Sequence, residues 1–230
     1  MGDSEGNQKG GGKDLKSQNR RWLVAFVVLH LAIFWSLASV GVIEFDVLEI
    51  SLKAALLEKG VFAICAFLLV IILEGLIPTH LKSMLVFWRW RHPLPGCRAF
   101  TELDPKDARI GKAELQRVLG PLPRNPEDQN RLWFKLSQQY ADRPSVLQAH
   151  RQYLLTRELA SFSALLFVVL PIVLVTVGST RALVISYSVL LLFQYVITAL
   201  AGKNYGKEFV NNVLALVGTD QKPRKAKRNH

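Results

Sequence analysis

Three side chains stand out because almost everything around them is apolar: His30, Glu74 and Gln194. Lipid can neither solvate nor hydrogen-bond such groups. In a membrane they face protein or water, and they serve ion paths, proton relays or hydrogen bonds between helices. Counted inward from the basic end of each apolar run at about 1.5 Å per helical residue, His30 lies roughly 12 Å deep, Glu74 roughly 6 Å and Gln194 roughly 9 Å. The depths agree within about one turn. An intramembrane polar cluster of His30, Glu74 and Gln194 is therefore expected if the helices that carry them are neighbours. In the plainer reading Glu74 snorkels to the interface, while His30 and Gln194 only join helices.

A second group is Phe87-Trp88-Arg89-Trp90-Arg91, where aromatics alternate with arginines. Such a pattern can stack nucleobases. It serves equally to anchor a chain at lipid headgroups, and it closely follows an apolar run, which favours Trp88, Arg89, Trp90 and Arg91 as headgroup or partner contacts. Trp133 is a third candidate: it is expected to anchor a helical cap by packing, with Phe134 and Leu136, on the helix formed by residues 144–157. If exposed, it would become a partner-binding anchor instead.

Other chemistry is sparse. No GxSxG, HExxH, SxxK or GxGxxG arrangement is present, and Gly10-Gly11-Gly12-Lys13 lacks the spacing of a phosphate loop. His80, His92, Cys97 and His150 have no paired ligand spacing, and Cys65 and Cys97 form no CxxC, so no metal site or disulfide framework is expected. Asp104, Asp107, Glu114, Lys106 and Lys112 read as a solvated helical surface. The chain is accordingly expected not to be an enzyme and to need no cofactor.

The elements that position these groups follow from the distribution of apolar residues. Half of the 230 residues are hydrophobic, and they fall into four blocks, residues 22–40, 61–78, 159–177 and 182–200. A run of about 18 residues is roughly 27 Å of helix, close to the thickness of the hydrocarbon core. Trp22 and Trp35 sit near the two ends of the first block as an aromatic belt would. The fold class expected is all-α: a polytopic membrane protein with four transmembrane helices and a small helical cytoplasmic insert. Residues 1–21 are expected to be disordered. Residues 22–79 form the first transmembrane pair, joined by an acidic external loop, 41–60, whose Leu48, Leu52, Leu56 and Leu57 suggest a surface helix. Residues 80–158 form the helical insert, 159–200 a tight transmembrane hairpin, and 201–230 a short surface helix with a basic tail. Within the insert, residues 82–91 read as a helical continuation bent at Pro78. Asp104-Pro105 and Asn125-Pro126 read as N-cap and first-turn proline. Pro144-Ser145 should open a helix that runs into the third span, where Pro171 is tolerated.

The net charge of +11 would suggest nucleic acid in a soluble protein. Here its distribution matters more. Residues 1–21, 80–157 and 201–230 carry balances of +2, +7 and +5, whereas the 41–60 loop carries −2. Lys and Arg concentrate on the cytoplasmic side of multi-pass proteins. Both termini and the insert are thus placed in the cytoplasm, with the protein in the cell membrane. The positive-inside rule absorbs most of the charge, so nucleic acid is disfavoured as a partner.

This layout is similar to that of small bacterial membrane effector and accessory proteins, including those of anti-phage systems; the similarity is one of layout and rests on no residue pattern. It implies a non-enzymatic, membrane-embedded module that docks a cytosolic protein through residues 80–158 and forms a homo-oligomer that senses or perturbs the lipid bilayer. The alternatives are a small oligomeric channel or transporter subunit, and an intramembrane lipid-modifying enzyme.

Overall fold

The computed structural model describes residues 11–39, 67–102, 107, 109–176 and 178–220. Every regular element among them is helical, and none is a strand. The order is α1 (Gly11–Ser39), α2 (Phe67–Leu76), α3 (Thr79–Phe87), a 3-10 turn (Pro95–Arg98), α4 (Lys112–Leu119), α5 (Pro126–Gln139), α6 (Pro144–Thr176) and α7 (Arg181–Asp220). Two compact units emerge: Met1–Val86 with Leu154–Gly202, and Phe87–Tyr153 with Lys203–His230. The loop 41–60 expected to be external, Asp104-Pro105, Cys65 and the tail 221–230 lie outside the described residues.

The first unit is built from apolar residues repeating at helical spacing. Leu23 and Val27 of α1 pack with Val70 of α2 and Phe162 of α6. Leu170 and Leu174 of α6 pack with Tyr187 and Leu191 of α7, and Ile33 and Phe34 of α1 close that second cluster. Each i, i+4 pair puts two side chains on one face, which is what lets a helix bury a stripe. The opposite faces stay apolar yet outward: Ile185, Val189, Phe193 and Ile197 repeat every four residues along α7 and are all about half exposed or more. Only 33% of the most apolar stretch of α6 and 17% of that of α7 is buried within the chain. Surfaces of this kind suit lipid rather than water. By length and apolarity α6 and α7 can each cross a membrane, and the α2–α3 pair, bent by 88°, makes a third if taken as one span. Two to three spans therefore stand on the structure; the expected four rest on sequence alone.

Helix ends follow local chemistry. α6 closes on Gly178, whose φ of 78° is the left-handed conformation that glycine adopts without a steric penalty. Gly178 N donates to Val175 O at 3.1 Å and Ser179 N to Leu174 O at 3.0 Å, the paired bonds of a Schellman cap. The α6–α7 connection is as short as expected. α1, by contrast, starts at Gly11 rather than Trp22, so much of the stretch expected to be disordered is helical.

The second unit has its own core. Asn125 caps α5, its side-chain oxygen accepting from Glu127 N at 2.9 Å, and Pro126 occupies the first turn as the sequence implies. Gln129 is 1% exposed and hydrogen-bonded through both ends of its amide: its oxygen accepts from Phe100 N and Thr101 Oγ1, and its nitrogen donates to Arg124 O. Trp133 meets Phe209 edge-on at 5.0 Å, and Phe209 stacks on His150 at 4.5 Å. A Cβ on Gly96 would lie 2.5 Å from the Trp133 ring, so only glycine fits there. Around them Leu115, Leu136, Val146, Val213, Leu214 and Val217 are buried.

Three expectations change here. Phe134, expected to pack with Trp133 and Leu136, points outward and is 56% exposed, because only one face of α5 meets the core. The helix expected over 82–91 stops at Phe87. The short surface helix expected after residue 200 is no separate element: α7 continues unbroken to Asp220, and its Phe209, Val213, Leu214 and Val217 are core rather than surface.

Candidate functional site

Among the described residues of the first unit, a cluster of buried charge begins with a missing hydrogen. Pro78 has no N–H, so the carbonyl of Glu74, four residues back, loses its helical donor. Lys82 replaces it, its Nζ donating to Glu74 O at 2.9 Å. Lys82 is 2% exposed, and a buried ammonium needs a counter-ion. Glu158 of α6 supplies one in a direct ion pair. The second carboxylate oxygen of Glu158 accepts from Arg157 Nη2 at 3.0 Å, so one buried acid serves two buried cations. The Glu74 side chain looks elsewhere. Its carboxylate accepts from Arg20 Nε at 3.3 Å and Nη2 at 3.1 Å, tying α2 to α1. Glu74 is thus a node: its carboxylate binds α1, and its carbonyl, through Lys82 and Glu158, binds α3 and α6.

The second polar contact joins α1 to α7. His30 is 5% exposed, with Nδ1 2.7 Å from Phe26 O and Nε2 2.9 Å from the Gln194 side-chain oxygen. A neutral imidazole donates from one nitrogen only. The Phe26 carbonyl can only accept, so Nδ1 carries a hydrogen toward it, and the direction of the Nε2–Gln194 bond follows from the tautomer and the orientation of the amide. The ring also lies against Phe26, centroids 4.2 Å apart.

The expected cluster of His30, Glu74 and Gln194 is therefore split. His30 and Gln194 meet, while Glu74 pairs with Arg20. Sequence reasoning counted Arg20 with the polar N-terminal flank, but the early start of α1 puts it on a helix. Lys82 and Arg157 entered only as charges in the balance of residues 80–157, and Glu158 lay just beyond it. A signal was present in Lys82, which stands four residues after a proline that ends an apolar run.

In the second unit, Trp88 and His92 have φ of 53° and 48° and are the non-glycine residues with positive φ among those described. Trp90 is 83% exposed and Trp88 49%, and Arg91 is exposed. Arg89 pairs with Glu102 at 3.0 Å. Trp133 is 6% exposed, with no hydrogen-bond partner for its indole N–H among the described residues; it is a core residue, which removes its reading as a partner-binding anchor. Cys97 is a buried free thiol whose pKa burial pushes up. Asp107 is held below the usual carboxylate range by its hydrogen bonds with Arg109, which in turn reaches Asn212. Among the described residues no three His, Cys, Asp or Glu gather as metal ligands. Comparison with protein-family models, curated proteins and solved structures finds no match to this chain.

Proposed function

We propose that the chain is a multi-pass membrane protein without catalysis of its own, a module that holds itself in the cell membrane and docks a cytosolic protein. In this reading α1, the apolar run 61–78 that ends with α2, α6 and the first half of α7 supply four spans. Both termini and residues 80–158 lie in the cytoplasm, and copies associate as a homo-oligomer. The observation that carries it is the contrast in surface: the apolar stretches of α6 and α7 remain mostly outward, whereas the second unit buries a core of its own around Trp133 and Phe209. Outward apolar faces support lipid and copy-to-copy contact. A cored polar unit supports a soluble partner, and Phe134 is the exposed aromatic of α5 that would meet it.

The test is a photo-crosslinking amino acid at Phe134 or, as control, at Thr180, in living cells. This reading expects one discrete cytosolic protein joined through position 134 and none through 180, together with copy-to-copy products. Identical products at both positions, or none at 134, would contradict docking.

A small channel or transporter subunit is the second reading. It is favoured by Lys82, Arg157 and Glu158 buried at a helix break, since broken helices and buried charges accompany ion and solute paths. Ion flux through the purified protein in liposomes, abolished in Glu158→Gln, would support it over docking.

A further inference from the structure

The turn after α3 is held in a conformation that its sequence does not favour. α3 stops at Phe87, and the next residue, Trp88, is left-handed, as is His92. For a bulky side chain this is a true outlier, and such strain persists only where the surroundings enforce it. They do so here. Arg98 Nη1 donates to His92 O at 3.1 Å, and the Arg98 guanidinium sits 5.4 Å from the Phe87 ring centroid. Lys203 Nζ sits 5.8 Å from the Trp88 ring centroid. The result is a braced turn that projects Trp90, 83% exposed and the most exposed large hydrophobic residue described. Its charge is one-sided. Arg89, Arg91 and Arg98 stand in or beside the turn and Lys203 over its Trp88, against one carboxylate, Glu102, which pairs with Arg89 and Arg98. Arg91 and Lys203 have no ion pair among the described residues.

We propose that the 88–92 turn with Lys203 is a docking site for the phosphate headgroups of anionic phospholipids. The inference rests on the membrane reading above and adds to it a lipid class and the residues that read it. An indole belongs at the headgroup level, where its body is in apolar surroundings and its N–H is in water. Guanidinium and ammonium groups donate to phosphodiester oxygens. The turn follows an apolar helix pair without an intervening residue, so lipid is nearer to hand than the single-stranded nucleic acid that the same residue types could stack.

The experiment titrates the full-length protein in detergent micelles with bromine-labelled lipids, which quench nearby tryptophans. The Trp90 signal is the difference between the parent and Trp90→Phe, a change at an exposed side chain. Brominated phosphatidylglycerol should half-quench it at a clearly lower concentration than brominated phosphatidylcholine. Arg91→Gln and Lys203→Gln should each raise that concentration about fivefold, the factor expected of one basic side chain near an anionic surface. Inorganic phosphate at matched ionic strength should change nothing. Equal quenching by both lipids, reversal by phosphate, or protection of Trp90 by a single-stranded RNA oligonucleotide would each overturn the proposal. Trp22, read in the same way through Trp22→Phe, separates the two levels. If Trp22 is quenched and Trp90 is not, the headgroup site alone fails; if neither is quenched, the membrane reading fails with it.

Discussion

Pro78 removes one backbone donor, and much of the buried charge in the first unit can be traced from that loss. Lys82 replaces the donor, Glu158 balances Lys82, and Arg157 takes the remaining oxygen of Glu158. The chain of dependence predicts an asymmetry. Glu158→Leu leaves two buried cations together and should cost about 3–5 kcal/mol. Lys82→Met leaves Glu158 paired with Arg157 and should cost clearly less. Thermal unfolding of both variants in the same detergent reads the difference, and equal losses would mean that Arg157 does not share the acid. Cys97 gives a pH-dependent prediction in the other unit. Burial, opposed by the nearby Arg98, holds its thiol above the ordinary 9.0, so the folded state favours the neutral form. That contribution is complete below the unfolded value and is lost as pH rises through the higher folded value. As pH rises past the ordinary 9.0 the parent should therefore lose protease resistance in residues 87–153 faster than Cys97→Ala does, since only the parent has a thiol to ionise there. Parallel loss in the two proteins would exclude a role for the thiol.

At the scale of elements, α5 shows which side of a short helix carries stability. Trp133→Ala should cost about 3–5 kcal/mol by vacating the space between Gly96 and Phe209. Phe134→Ala, one residue along on the exposed face, should change stability by less than about 0.5 kcal/mol. Limited proteolysis of the second unit distinguishes them, and similar losses would mean that Phe134 is also covered. The start of α5 was readable because Asn125-Pro126 names its own cap, and Pro144 likewise marked the start of α6. Pro78 marked a bend, but neither its 88° angle nor the bond that Lys82 makes across the break can be read from spacing. Two boundaries were illegible for tertiary reasons. Phe87-Trp88-Arg89 carries no helix breaker, yet the helix ends there, and the left-handed Trp88 and His92 meet Lys203, from far along the chain, and Arg98, six residues past His92. α7 runs unbroken through Gly202 and Gly206, whose missing side chains make room: a Cβ would come within 3.1 Å of Val86 at Gly202 and 2.7 Å of Phe87 at Gly206. The polar cluster was legible in part for a similar reason. The depths of His30 and Gln194 put them within reach of each other, but Glu74 found Arg20, whose place on α1 depended on where that helix begins.

At the scale of the molecule, the account joins two facts. Apolar faces on α6 and α7 stay outward, and Lys and Arg concentrate in residues 1–21, 80–157 and 201–230. If the positive-inside rule sets the orientation, the α6–α7 turn faces outside and the second unit faces the cytoplasm. The two native thiols do not serve as reporters, since Cys97 is buried and Cys65 lies outside the described residues. The direct measurement removes both with Cys65→Ala and Cys97→Ala and places single cysteines at the exposed positions Thr180 and Gln138, in intact cells treated with a membrane-impermeant thiol reagent. The account predicts that a cysteine at 180 is labelled in intact cells and that one at 138 is labelled only after the membrane is opened. Labelling at 138 in intact cells, with 180 protected until lysis, would reverse the orientation, and recovery of the protein in the soluble fraction would contradict the membrane account itself.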